Sequence, residues 1–206
     1  MNREVVLKII DELKKVYDIS YFRRSDPFRV LIGTILSQRT KDEVTRSATD
    51  RLFMKAKTPK QMLKLSEEKI AKTIYPVGFY NQKAKRIREV SRIILEKYGG
   101  KVPRNRGELM KLPGVGPKTA DCVLCFAYGD SVVPVDIHVL VLSKRLGIAD
   151  QKDTPGKVRE KLHELIPKEK RSIVNALFVE HGKVVCQTAK PKCDNCVIEK
   201  YCAKLI

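Results

Sequence analysis

Negative charge is scarce in this sequence. Among 206 residues there are 24 aspartates and glutamates against 42 lysines and arginines, and the formal net charge is +18. Thermostable surfaces also carry many lysines, but they usually balance them with glutamate. An excess of one sign instead favours a polyanionic partner, of which nucleic acid is the commonest.

Long apolar runs and tryptophan are also missing. No stretch approaches the roughly 20 apolar residues that a membrane-spanning helix needs. The N-terminal segment MNREVVLKIIDELKK is amphipathic and charged, unlike a signal peptide. Without tryptophan or a strongly basic amphipathic helix, binding to a membrane surface is disfavoured as well. These absences predict an intracellular protein that does not contact a membrane.

Strand patterns are almost absent. Apolar residues recur at helical spacing nearly throughout, and only residues 131–135 look strand-like, although Pro134 lies among them. Helix starts are marked by a capping residue before proline or glutamate, and Gly99-Gly100 ends a long helix. These starts lie at Asp26-Pro27, Thr58-Pro59, Ser66-Glu67 and Thr154-Pro155. We therefore predict an all-α fold.

The segment LPGVGPKTADCVL, residues 112–124, predicts two helices joined by a tight turn. Gly114 and Gly116 permit positive φ and close approach of the backbone, and Pro117 suits the first position of a helix. Amides at such a helix start form a phosphate site, although an ordinary helix–helix corner has the same pattern. A nucleotide P-loop is excluded, because Leu112 and Pro117 occupy the positions of its glycines.

Four of the six cysteines crowd the C-terminus in the pattern C-x6-C-x2-C-x5-C. They are Cys186, Cys193, Cys196 and Cys202. Four thiols in one short segment of an intracellular protein indicate a metal site, because disulfides are rare inside cells. The spacing alone leaves structural zinc and a [4Fe–4S] cluster both open. Cys122 and Cys125 fall in an apolar helix and are interpreted as core thiols.

The hairpin, including Lys118 directly after its proline, resembles that of the endonuclease III family of DNA glycosylases nearly residue for residue. Residues 135–138 (VDIH) and the complete cysteine spacing resemble the same family, and they follow in the family's order. The resemblance therefore covers nearly the whole chain, from Asp26 to Cys202.

This resemblance implies the roles of several residues. Lys118 would be the nucleophile that attacks C1′ of the damaged nucleotide and forms a Schiff base with the sugar, with a phosphate-contacting lysine as the alternative. Asp136, otherwise an N-cap, would stabilise the oxocarbenium character of the sugar. The four C-terminal cysteines would hold a structural [4Fe–4S] cluster, and Lys190 and Lys192 would contact phosphates. His138 is expected to be structural.

The family fills the gap left by a flipped base with side chains from two loops. Residues 36–42 (LSQRTKD) resemble the first loop, but the family's usual glutamine lies two positions after the serine, where this chain has Arg39. Gln38 lies one position after it, so either residue could be the wedge. Phe79, in the sequence GFYN, matches the second loop, with a core residue as the alternative.

A basic helix face follows Phe79 and is expected to track phosphates. It comprises Lys83, Lys85, Arg86, Arg88 and Arg92.

The resemblance implies a two-lobe helix-hairpin-helix DNA glycosylase fold. A six-helix barrel would occupy residues 20–132, and residues 1–19 and 133–206 would form the iron–sulfur lobe. DNA would lie in the cleft between the lobes, with Lys118 and Asp136 on opposite walls.

The implied function is that of a bifunctional DNA glycosylase and abasic-site lyase that removes oxidised pyrimidines from double-stranded DNA. The protein would act as a monomer and would be cytoplasmic, nucleoid-associated and prokaryotic. Two alternatives are a monofunctional mismatch glycosylase, against which Lys118 argues, and a non-catalytic helix-hairpin-helix DNA-binding protein.

Overall fold

The structure is a computed structural model that describes residues 1–20 and 25–205. These residues form eleven α-helices and no strand, which confirms the all-α prediction. The helices are α1 (Arg3–Val16), α2 (Pro27–Ser37), α3 (Asp42–Lys55), α4 (Pro59–Leu63), α5 (Glu67–Ile74), α6 (Tyr80–Tyr98), α7 (Arg106–Met110), α8 (Pro117–Phe126), α9 (Ile137–Leu146), α10 (Pro155–Leu165) and α11 (Lys168–Val184). Two 3₁₀ turns follow, Cys193–Asn195 and Glu199–Tyr201. None of the described helices has the length and apolar character to cross a membrane.

The strand-like prediction for residues 131–135 is wrong. The segment is irregular, and its backbone groups are bound by side chains from two helices. The amide of Val133 donates to His163 Nε2 at 3.0 Å, and Asn175 Nδ2 donates to the carbonyl of Pro134 at 2.8 Å. These bonds satisfy polar backbone groups that a neighbouring strand would otherwise have to satisfy.

The chain divides into two compact units. The central unit is Arg24–Tyr128, and the terminal unit joins Met1–Arg23 to Gly129–Ile206. The boundaries predicted from the sequence lie at residues 19/20 and 132/133.

Helix α2 forms the core of the central unit. Asp26 caps it by accepting a hydrogen bond from the amide of Arg29 at 2.9 Å, and Pro27 occupies its first turn. Its buried side chains are Phe28, Leu31, Ile32, Ile35 and Leu36. Each contributes about 1.5–3 kcal/mol by leaving water. Helices α3, α6 and α8 pack against α2, so the hairpin before α8 is held by the same core as the loop that follows α2.

The terminal unit is built on α11. Helix α1 packs one apolar face against it, with Val6, Ile9, Ile10 and Leu13 buried, and α9 packs against both α10 and α11. Ile198, which lies between two of the C-terminal cysteines, is only 1% exposed and belongs to this core. The core therefore fixes the cysteine-containing segment.

Candidate active site

The hairpin between α7 and α8 contains two glycines with different surroundings. Gly114 has φ +76°, and a Cβ placed there would lie 2.2 Å from Cδ of Arg86. Gly116 precedes Pro117 with an extended backbone, and a Cβ on it would meet open space. The positive φ therefore favours glycine at position 114, whereas neither the backbone conformation nor packing within the described chain requires glycine at position 116.

Lys118 lies in the first turn of α8, with its side chain exposed. No side chain caps this helix, whereas Asp26 and Asp136 cap α2 and α9. The amides in the first turn of α8 therefore have no capping side chain and can bind an anion beside Lys118.

Asp136 is the N-cap of α9 in the terminal unit. Its Oδ1 accepts a hydrogen bond from the amide of Val139 at 3.0 Å, and the residue is half-buried. His138 packs against Gly182 of α11, where a Cβ would lie 2.7 Å from His138 Nδ1. This close packing agrees with a structural role for His138.

The four C-terminal cysteines line one small pocket, together with Arg145 and His181. Burial raises the pKa of the Cys196 and Cys202 thiols, and charge on the neighbouring cysteines raises it further. Several thiolates can lie close together only where positive charge or hydrogen-bond donors compensate for their negative charge. Both are present, because Arg145 Nη1 lies 3.4 Å from Cys186 Sγ and the amide of Lys204 donates to Cys202 Sγ at 3.3 Å.

Arg145 and His181 also line this pocket, although neither was predicted from the sequence as a site residue. Arg145 is buried and donates to the carbonyls of Cys186, Gln187 and Thr188 at 2.7–3.3 Å, which holds the loop after the first cysteine. Lys190 and Lys192 lie exposed farther along this loop.

His181 connects α1 to a cysteine. Its Nδ1 is 3.0 Å from the hydroxyl of Tyr17, and its Nε2 is 3.4 Å from Cys196 Sγ. Burial lowers the pKa of His181 to about 4, so the imidazole is neutral near pH 7. No local sequence pattern marks His181 or Arg145, because their partners are far away in the chain.

The two candidate wedge residues have different environments. Gln38 lies at the C-terminal end of α2 and donates through Nε2 to the carbonyl of Gly114 at 2.9 Å. Arg39 is exposed with φ +53°, and its guanidinium lies over the ring of Phe79, 5.7 Å from the centroid. Phe79 also has positive φ, +58°, and is 54% exposed, which excludes the core alternative.

The predicted basic face of α6 is wrong for Lys83. This lysine is only 3% exposed, and its ammonium is bound within the protein. Arg88 is half-buried and donates to the carbonyl of Leu65 at 2.8 Å, while Lys85 and Arg92 are exposed. The sequence does not show which of these basic side chains are buried, because other helices cover one side of α6 and leave the other side exposed.

Comparisons with known proteins agree with the geometry. Residues 32–168 match the HhH-GPD superfamily of base excision DNA repair proteins. Endonuclease III of Thermotoga maritima is 43% identical over 180 residues, which cover 87% of this chain and 84% of that protein.

Several solved structures are similar over almost the entire chain. A trapped covalent intermediate of endonuclease III with DNA, an estranged-adenine complex, has a TM-score of 0.91 at 34% identity and covers 99% of this chain and 97% of its own. A thermostable thymine-DNA glycosylase has a TM-score of 0.87 at 30% identity and covers 98% of this chain and 95% of its own.

Proposed function

The chain belongs to the endonuclease III family within the HhH-GPD superfamily of base excision DNA repair proteins, and we propose that Lys118 and Asp136 perform its chemistry on oxidised pyrimidines in double-stranded DNA. The protein is accordingly a DNA glycosylase and abasic-site lyase. The assignment to Lys118 rests on its position. Lys118 is exposed in the first turn of α8, a helix that no side chain caps, and a Cβ on the preceding Gly116 would meet open space.

The proposed reaction begins when neutral Lys118 Nζ attacks C1′ of the damaged nucleotide. The bond from C1′ to the base breaks, and the base departs with the bonding electron pair and takes up a proton. The C1′–O4′ bond then breaks, O4′ takes up a proton that the nitrogen has lost, and a double bond between Nζ and C1′ gives the Schiff base of the opened sugar. Because this Schiff base acidifies the hydrogens on C2′, loss of one of them expels the 3′ phosphate by β-elimination.

Asp136 is proposed to stabilise positive charge on the sugar while the base departs. Capping uses Oδ1, which accepts the hydrogen bond from the Val139 amide. Both functions therefore use the same side chain, capping through its acceptor oxygen and catalysis through its negative charge.

The phosphate backbone is proposed to bind at the hairpin amides, with further contacts from Lys190 and Lys192 in the cysteine loop. Gly116 supports this assignment, because its missing side chain leaves space beside the first turn of α8. The net charge of +18 supports DNA as the partner. We propose that the protein acts as a monomer at the nucleoid.

Arg39 and Phe79, rather than Gln38, are proposed to fill the gap left by the flipped base. Both are exposed at the tips of their loops. The amide of Gln38 is instead bound to Gly114, and inserting it into DNA would break this bond.

Cys186, Cys193, Cys196 and Cys202 are proposed to hold a [4Fe–4S] cluster. Their common pocket and the donors from Arg145 and Lys204 fit this group. In the part of the chain that the structure describes, no three histidines, cysteines or carboxylates are grouped to hold a single ion. A cluster does not need such a grouping, because each cysteine ligates a different iron. When bound, the cluster would contribute folding energy to the terminal unit.

The role of Lys118 is tested by trapping the Schiff base with borohydride on a duplex that contains an oxidised pyrimidine. We expect Lys118→Gln to abolish the covalent adduct while DNA binding persists. Lys97→Gln is the matched control, because Lys97 is an exposed lysine in the last turn of α6 and of the same unit. An undiminished adduct in Lys118→Gln would remove this residue from the nucleophile role.

A mismatch glycosylase activity is the second candidate, and the likeness to the thymine-DNA glycosylase favours it. An enzyme of this kind releases a base without forming a Schiff base. Excision of mispaired thymine without a borohydride adduct on any substrate would therefore favour it over the first proposal.

A further inference from the structure

Lys83 is a buried cation near the start of α6, and the chemistry proposed above does not use it. Its ammonium donates to the carbonyl of Leu36 at 2.8 Å, to the carbonyl of Gln38 at 2.5 Å and to Thr40 Oγ1 at 3.1 Å. The three donors of the ammonium thus meet three acceptors, and none of these is a carboxylate. Burial, together with the charge of Arg86, lowers the pKa of Lys83 to about 8.

The three acceptors surround the end of α2, where carbonyl groups carry partial negative charge. Two of them belong to Gln38 and Thr40, the residues on either side of Arg39. Arg39 itself has φ +53°, a left-handed conformation that is unfavourable for a residue other than glycine. The ammonium of Lys83 therefore binds the carbonyl of Gln38, directly before Arg39, and the side chain of Thr40, directly after it.

The same contacts hold the second loop. Thr40 Oγ1 accepts a hydrogen bond from the amide of Gly78 at 3.2 Å, and a Cβ on Gly78 would lie 2.7 Å from the carbonyl oxygen of Arg39. The next residue, Phe79, has φ +58°. Two left-handed residues from two loops are thus brought together around one buried ammonium.

The contacts continue to the hairpin. Arg86 lies three residues after Lys83 on α6 and packs on Gly114. The side chain of Gln38 bridges the two, because Nε2 donates to the carbonyl of Gly114 at 2.9 Å and Oε1 accepts from Arg86 at 3.5 Å. The loop that carries Arg39 is therefore connected to the turn that precedes Lys118.

We propose that Lys83 is a positioning residue for base extrusion, which holds Arg39 and Phe79 as one preformed wedge and fixes this wedge relative to the hairpin of Lys118. This inference rests on the proposed function. A wedge that is already ordered does not lose conformational entropy when it enters DNA. Without the ammonium, both tips can leave their left-handed conformations, and each extrusion has to order them again.

The effect is expected at one step of the reaction. Extrusion of a paired base requires the wedge, whereas a preformed abasic site has no base to extrude and can react with Lys118 directly. Loss of Lys83 should therefore slow excision from a duplex much more than cleavage of an abasic site. A general loss of structure would slow both reactions alike.

The experiment compares Lys83→Met with the wild type in single-turnover reactions on two duplexes, one with a paired oxidised pyrimidine and one with a preformed abasic site. We expect excision of the paired base to fall by about 10- to 100-fold, the scale of a small misplacement of a positioning group. Cleavage of the abasic site should change less than about threefold on the same scale. Lys97→Met, on the exposed end of the same helix, should match the wild type in both reactions.

A second readout follows extrusion itself. With 2-aminopurine placed opposite the lesion, its fluorescence should rise on binding of the wild type and should rise more slowly with Lys83→Met. Thr40→Ala leaves the ammonium in place but removes its link to Gly78, so it should reproduce the selective defect even if Lys83→Met does not fold.

Two outcomes would overturn the proposal. One is wild-type excision of paired lesions by Lys83→Met, or by Thr40→Ala if Lys83→Met does not fold. The other is an equal loss on paired and abasic duplexes, which would make the role structural only. Failure of the proposed function is distinguishable, because the wild type would then neither excise the paired base nor cleave the abasic site.

Discussion

Asp136 combines two functions in one carboxyl group. As an N-cap it needs an acceptor oxygen, and it has one, because Oδ1 accepts from the amide of Val139. As a catalytic group it needs negative charge beside the sugar. Asparagine provides the oxygen without the charge and caps helices about as well as aspartate. The two functions can therefore be separated by substitution at this residue.

We expect Asp136→Asn to keep stability and DNA affinity close to those of the wild type, while base excision falls about 100-fold or more. Asp136→Ala should excise slowly as well and should also lose about 1 kcal/mol of stability, because the cap is gone. Single-turnover base release and thermal melting measure the two effects. Near-normal excision by Asp136→Asn would show that the residue is structural only.

The burial of Lys83 gives it a different role from the one that its sequence context predicts. In the sequence it is one of five basic residues after Phe79, and a phosphate-tracking face is the natural interpretation. In the structure it contacts carbonyls and a hydroxyl instead, all more than 40 residues earlier in the chain. Its environment is set by the packing of α6 against α2.

In the hairpin, glycine is favoured at positions 114 and 116 for different physical reasons. Gly114 has positive φ and lies against Arg86, so its reason lies inside the protein. Gly116 has φ −91°, which any residue can adopt, and it meets open space. Its reason is proposed to lie in the DNA, since a phosphate approaching the amides of α8 would meet a side chain at this position.

Substituting alanine at each position separates an effect on stability from an effect on DNA binding. Gly114→Ala should destabilise the protein by about 1–2 kcal/mol through its left-handed φ, with an added cost for displacing Arg86. Gly116→Ala should change stability by less than about 0.5 kcal/mol. It should nevertheless weaken DNA binding about tenfold, the equivalent of one charge-assisted hydrogen bond. Thermal melting and DNA titration at one fixed salt concentration provide the measurements. Unchanged DNA affinity in Gly116→Ala would contradict a phosphate contact at the hairpin.

At the scale of the whole molecule, the two units are stabilised differently. The central unit has a continuous helical core around α2. The terminal unit ends in a cysteine segment whose regular structure is limited to two short 3₁₀ turns. A bound cluster would compensate for this shortage of regular structure by linking four points of that segment.

We expect protein purified without oxygen to contain roughly four irons per chain and to be yellow-brown. Cys193→Ser should lose the iron, and its melting temperature should fall by about 10 °C, the shift that several kcal/mol produces in a chain of this size. Cys122→Ser is the control, because Cys122 is buried in the central unit, and this variant should keep its iron. Iron analysis and calorimetry decide the matter. One tightly bound zinc and no iron would refute the cluster.

The sequence by itself determined the helical class, most helix starts, the hairpin, and the set of four cysteines. These features depend on neighbours within a few residues. Asp26, Thr58, Ser66 and Thr154 cap the helices that they were predicted to start, and Gly99 ends α6 with φ +58°. Side-chain caps, helical periodicity and positive φ are local effects, so a local pattern is sufficient to predict them.

Only the tertiary structure decided which polar residues are used inside the protein and which face outward. Gln38 and Arg39 are adjacent in sequence, yet Gln38 is bound to a carbonyl 76 residues away while Arg39 is exposed. Arg145 holds a loop that begins 41 residues later. Residues 131–135, which were predicted to be a strand, bind side chains of two helices instead of a neighbouring strand. The physical reason is common to all three cases: a buried polar group must be paired, and its partner is fixed by helix packing, which no local pattern contains.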